Sequence, residues 1–384
     1  MAESVLKEET IPEETASIKS LISSITKNAT VTLLNEKYQI DCENKETVEE
    51  IIEKVLPLEK LIEIIEDMSR IKECAQGIDH ETFIELCRKY GLTDISFQEH
   101  IKVVITKCLI HLPDKLDRIR VVSAVNKEKQ FEVLKGKEIE EEIKLSKDHS
   151  NKVKNVLGDL LEKDRRYVVS LEHVKDEIVM TAHVEQRRKT ITTISGESKI
   201  SSISIYPATK AITKYNTKNN QLYLKCGPNK KLKDYILSTF GSVFFDDNNH
   251  FNGSHTSVYK LDSFKNEDFS LNIEDDMKEQ VISARITEET IRIPVEDDEL
   301  VLNLKANDVE KALSILSNQQ IDLTSQLREK ITIEITLRVT NENEEEKTKK
   351  VKVTVTNDNK ISFNPEYTEI VNMCLRKWGI KVGE

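Results

Sequence analysis

Glu329–Asn357 reads "EKITIEITLRVTNENEEEKTKKVKVTVTN". Two alternating runs flank a charged centre. Ile331, Ile333, Ile335 and Leu337 fall at every second position, and Val351, Val353 and Val355 answer them. A period of two gathers each set on one face of a strand. The stretch therefore predicts a long antiparallel hairpin with "NENEEEKTKK" at its tip.

Its neighbours extend the same pattern. "QVISARITEETIRIPV" alternates well enough for strands. "NDVEKALSIL" predicts a helix with Asn307 or Asp308 as cap. "NPEYTEIVNMCLRKWGI" predicts a closing helix with Pro365 in its first turn. Trp378, the only tryptophan, reads as the anchor that docks this helix.

Upstream, "YVVSLEHVKDEIVMTAHVE", "KTITTIS" and "KISSISIY" carry β-branched residues and predict strands. The doubled Ser201–Ser202 suggests a bulge or short start. "AITKY" and "QLYLKC" flank "NTKNN", whose asparagines tolerate a left-handed turn, so a hairpin is expected. "NKKLKDYILSTFG" predicts a helix capped by Asn229 and closed by Gly241, and "FFDDNNHFNGSH" a loop.

The first part of the chain reads as helical. An apolar stripe from Val48 to Met68 is broken near Val55 or Leu56 by Pro57, and Gly77 offers a stop. "DHETFIELCRKYGL" has Asp79 as N-cap and Gly91 as C-cap. "SFQEHIKVVITKCLIHLP" is a further helix ended by Pro113. Residues 30–40 have the look of a small hairpin. The charged stretch 126–167 reads as a connection and a surface helix.

The expected fold class is a multidomain α+β protein, an N-terminal helical module followed by antiparallel-sheet α+β domains. The expected parts are an acidic tail over 1–20, a helical module over 21–150, a basic α+β domain over 151–270 and a C-terminal α+β domain over 271–384.

Charge follows this division. Residues 1–150 hold 22 Lys/Arg and 31 Asp/Glu, residues 151–235 hold 17 and 9, and residues 236–384 hold 18 and 28. The chain carries net charge −11, so the middle is a basic island in an acidic protein. No apolar run is long enough for a membrane span, and the acidic N-terminus lacks a secretory core. The six cysteines include no CxxC pair, which points to buried free thiols in a reducing cytoplasm.

Few residues suggest chemistry. No P-loop, GxGxxG, GxSxG, HExxH or kinase motif set is present. Asp246, Asp247, His250 and His255 lie close enough in sequence to hold a metal, but a Gly/Asn-rich loop accounts for the same letters. Glu334 on its strand and Asp322 before it lack the lysine that a nuclease site needs. His80 and Cys87 fall about two turns apart on one expected helix and His100 on another, and they read as bundle residues. No catalytic residue, metal site or cofactor is expected.

The island remains. Arg187, Arg188 and Lys189 are consecutive. Lys210, Lys214, Lys218 and Lys225 decorate the hairpin, and Lys230, Lys231 and Lys233 open a helix, whose N-terminus favours phosphate. Tyr206, Tyr215 and Tyr223 lie between them. Aromatics interleaved with cations on a sheet suit single-stranded nucleic acid. The competing expectation is that acidic residues of 1–150, or another subunit, cover the island.

"SISIYPATKAITKYNTKNNQLYLKC", "LKDYILSTFGSVFF" and the terminal "LRKWGI" resemble uncharacterised accessory proteins of bacterial defence or mobile-element loci. The resemblance spans the second and third segments and carries over no functional residue. It implies an accessory or sensor subunit beside an effector, in antiviral defence. The function expected is a non-enzymatic scaffold subunit. Its basic domain contacts nucleic acid, and its helical module holds a protein partner or a second copy. A metal-dependent nuclease and a protein-binding adaptor are the alternatives.

Overall fold

The computed structural model describes residues 21, 24–42, 58–139, 143, 145–161, 165–195, 199–253, 256–265, 269–295, 298–317, 323, 326–340 and 346–382. The chain is mixed α+β and divides into two compact units, Met1–Lys127 and Glu128–Glu384.

The first unit is helical. α1 (Lys27–Thr32) continues into a π-helical turn (Leu33–Lys37), followed by α2 (Leu58–Cys74), α3 (His80–Lys89), α4 (Ile101–His111) and α5 (Leu116–Val125). The hairpin expected over residues 30–40 is therefore replaced by helix. Ala29, Leu33 and Leu34 share one fully buried face, and that helical spacing outweighs the β-branched letters beside it. The stripe expected from Val48 lies outside the described residues up to Pro57, and helix runs from Leu58 onward. Asp79 caps α3 as expected, accepting from the Thr82 amide at 3.0 Å. Ile64, Met68, Ile71, Phe83, Ile84, Cys87, Val104 and Cys108 make the core.

The second unit is built on one sheet. Its strands are β1 (Gln130–Lys135), β2 (Tyr167–Val174), β3 (Glu177–Glu185), β4 (Lys189–Ser195), β5 (Lys199–Ile205), β6 (Ala208–Asn216), β7 (Gln221–Lys225), β8 (Val281–Val295), β9 (Asp298–Lys305), β10 (Leu327–Thr340), β11 (Glu346–Thr356) and β12 (Lys360–Ser362). Its helices are α6 (Lys147–Leu160), α7 (Lys230–Phe245), α8 (Val309–Ser317) and α9 (Thr368–Lys377). Ten strands form an antiparallel sheet in the order β2-β3-β6-β7-β1-β12-β11-β10-β8-β9, while β4 and β5 pair separately.

The opening hairpin holds in register, with Ile331 opposite Val355, Ile333 opposite Val353 and Ile335 opposite Val351. Asp308 caps α8 through the Lys311 amide. Trp378 is buried and donates from Nε1 to the Asn272 carbonyl at 2.9 Å, as an anchor should.

β1 changes the division expected from the sequence. Residues 126–167 include a strand as well as a helix, and that strand joins the two expected α+β domains into one sheet. Val133 pairs with Tyr223 and Leu134 with Leu222. Val133 enters the core shared with β8, β10, β11 and α9, and Leu134 enters the core under α6 and α7. Neighbouring residues of a strand point to opposite faces, so β1 is covered on both sides. Two further details differ. β4 and β5 pair without a bulge at Ser201–Ser202. α7 runs through Gly241 to Phe245 and ends at Asp246 in a left-handed conformation. Gly241 serves packing instead, since a Cβ there would lie 2.3 Å from the Asp247 carbonyl oxygen.

Candidate nucleic-acid interface

The first turn of α7 organises the basic residues. Asn229 accepts from the Leu232 amide at 3.2 Å, which fixes the helix start. Lys230, Lys231 and Lys233 then fall in the first turn, with no acidic residue among them. Cations oppose the helix dipole at this end, each at a cost of about 0.3–1 kcal/mol. An anion near the same turn would reverse that sign.

Two cavities flank this turn. On one side Lys231 lines a small pocket of about 70 Å³ with Arg165, Gln186 and Tyr235. Gln186 leads directly into Arg187, Arg188 and Lys189, which are all exposed. On the other side a groove of about 670 Å³ is lined by Lys225, Lys230, Lys233, Lys330 and Lys360. The sheet order β1-β12-β11-β10 brings Lys360 of β12 and Lys330 of β10 to the same groove.

The cations fall into two groups. Lys225 pairs with Glu128 at 2.6 Å, Lys210 with the same carboxylate at 3.4 Å, and Lys233 with Glu132 at 2.6 Å. Lys214 pairs with Glu177 at 3.0 Å and Lys218 with Asp176 at 2.7 Å. Burial pushes the Glu128 carboxyl up, but the hydrogen bond and charge of Lys225, with Lys210, outweigh it and hold the group below its ordinary range. Part of the island is thus met by carboxylates of residues 128–132, as the competing expectation had it. Arg187, Arg188, Lys189, Lys230 and Lys231 are exposed and have no carboxylate partner among the described residues.

The three tyrosines separate. Tyr206 is 55% exposed, with the Arg166 guanidinium 5.6 Å from its ring centroid. Tyr223 is half-buried against Phe131, with its hydroxyl donating to Gln221. Tyr215 is fully buried among Phe240, Phe245 and Phe251 and offers no ring face to a ligand. Its expected stacking role is corrected accordingly. Lys214 and Tyr215 are adjacent on β6, so alternation sends them to opposite faces.

The other candidates do not assemble. Asp247 pairs with Lys137 at 2.6 Å, and His250 stacks on Phe245 with centroids 3.5 Å apart. His255 and Asp322 lie outside the described residues. Glu334 is held by Arg285 at 2.6 Å and Lys350 at 3.2 Å, an ion-paired strand residue. Cys87 is buried, and a hydrogen bond with Cys108 followed by burial pushes its thiol far above the ordinary range, the wrong direction for a nucleophile. No helix among the described residues is long and apolar enough to cross a membrane. No known protein family and no curated protein matches the chain in sequence.

Proposed function

We propose that this chain is a non-enzymatic binding subunit that contacts nucleic acid through its sheet-bearing unit and holds a protein partner through its helical unit. One observation carries the reading. Five cations are exposed without carboxylate partners among the described residues in a protein of net charge −11: Lys230 and Lys231 in the first turn of α7, and Arg187, Arg188 and Lys189 directly after Gln186, which shares a pocket with Lys231. Phosphate contacts of this kind position a backbone without reading bases. The sequence resemblance supplies the setting, an accessory role in a cytoplasmic bacterial antiphage system.

The test is a combined charge reversal of Arg187, Arg188, Lys230 and Lys231 to Glu in the full chain. Binding to a labelled single strand and to a duplex, as DNA and as RNA, is measured against salt. The wild-type affinity should fall steeply with salt, and the variant should bind more weakly with a shallower slope. Equal affinity of variant and wild type, with both folded by circular dichroism, overturns the reading. Chelator-sensitive cutting of the probe by pure protein would replace it with the nuclease alternative.

A further inference from the structure

β4 and β5 form a ribbon of seven residue pairs, from Lys189 opposite Ile205 to Ser195 opposite Lys199. It is a sheet of its own, and neither strand has a second strand partner among the described residues. Among the described residues, each strand therefore presents an open edge. Natural proteins blunt such edges with lysine, proline or bulges. Residues 200–206 contain no charge and no proline, and the register is unbroken. Five isoleucines of the ribbon are exposed, with Ile194 at 79% and Ile200 at 77% on one face and Ile191, Ile203 and Ile205 on the other. A lone two-stranded ribbon is marginal in water. This one needs a cover.

Charge selects the cover. A polyanion would need cations along the ribbon body, yet residues 190–194 and 200–206 carry none. The chain at −11 repels its own copies over most of its surface. The uncharged ribbon is where two copies meet without that penalty. We infer that β5 of one copy pairs antiparallel with β5 of a second copy, giving a four-stranded sheet across a twofold axis. Twofold pairing uses the same edge twice, so one contact relieves the deficit of both copies. Centring the axis on Ile203 sets Ile203 opposite its own symmetry mate and Ile200 opposite Tyr206. Aromatic and β-branched residues are favourable cross-strand neighbours.

The mass of the full chain in solution, measured by sedimentation equilibrium over a wide concentration range, tests this. The wild type should be a concentration-dependent dimer, and Ile203→Lys should be a monomer with the circular dichroism spectrum of the folded wild type. A wild type that stays monomeric throughout, or an Ile203→Lys variant that stays dimeric, overturns the inference. Should Ile203→Lys fail to fold, Ile203→Cys gives a second reading. Oxidised glutathione should then link two copies through the axial cysteines to an extent the wild type does not reach, and no added cross-linking overturns the inference. None of these readings depends on nucleic acid.

Discussion

At the residue scale, Glu128 governs how much of the basic groove is open to a ligand. It holds both Lys210 and Lys225, and Glu132 holds Lys233. Glu128→Gln removes the charge that competes with phosphate, so it should tighten nucleic-acid binding and steepen its salt dependence. The same group sets a pH effect. Its folded pKa lies below the unfolded value. The stability it contributes is therefore complete above about pH 4.5 and is lost as pH falls through the depressed folded value. The pair is partly exposed, so the effect should stay under about 1 kcal/mol. It is read as a wild-type advantage over Glu128→Gln in urea unfolding that shrinks on acidification. Asn359 is a structural counterpart. It sits at φ +62°, and its Oδ1 accepts from the Val258 and Tyr259 amides at 3.0 and 3.3 Å. Its Nδ2 donates to the Thr256 carbonyl at 3.2 Å. Asn359→Ala loses those bonds and strains the backbone, so denaturant unfolding should show a loss of about 2–4 kcal/mol.

At the element scale, the helices whose ends carry a chemical signal are the ones the sequence places well. Asp79 accepts from the Thr82 amide and from the Thr82 hydroxyl at 2.8 Å. Asp79→Ala should cost about 1 kcal/mol in thermal unfolding, and Asp79→Asn much less, because Asn also caps. α8 and the β10–β11 hairpin were legible for the same kind of reason, a cap in one case and strict alternation in the other. α1 was not, since "TVTLL" satisfies the strand propensity and the helical spacing at once. The end of α7 was misread because a glycine that looks like a stop is needed instead for close approach to the Asp247 carbonyl. Half of the candidate site was legible as a cluster of cations. Alternation sends Lys214 and Tyr215 to opposite faces, yet the sequence reading placed both in one interface, and the burial of Tyr215 corrects it. Lys330 and Lys360 carry no local signal, because only the strand order brings them beside α7.

At the scale of the whole molecule, β1 explains why the sequence suggests two α+β domains where the structure has one sheet. Its six residues, "QFEVLK", show one short apolar pair between charges. A strand covered on both faces loses the alternation that marks a half-buried one. Yet Val133 and Leu134 are 0% and 5% exposed, one in each core. The two cores therefore share a strand and should unfold together. Leu134→Ala removes side-chain volume only from the core under α6 and α7, at a cost of about 2–5 kcal/mol. If β1 couples the cores, native-state hydrogen exchange should show protection falling by a similar free energy in β3 and in β10, whose side chains pack in different cores. Val133→Ala should produce the same joint loss from the other side. Loosening confined to β2, β3, β6 and β7 in the Leu134→Ala variant would mean that the sheet is continuous in hydrogen bonding but divided in stability, with a boundary at the strand that physically joins its halves.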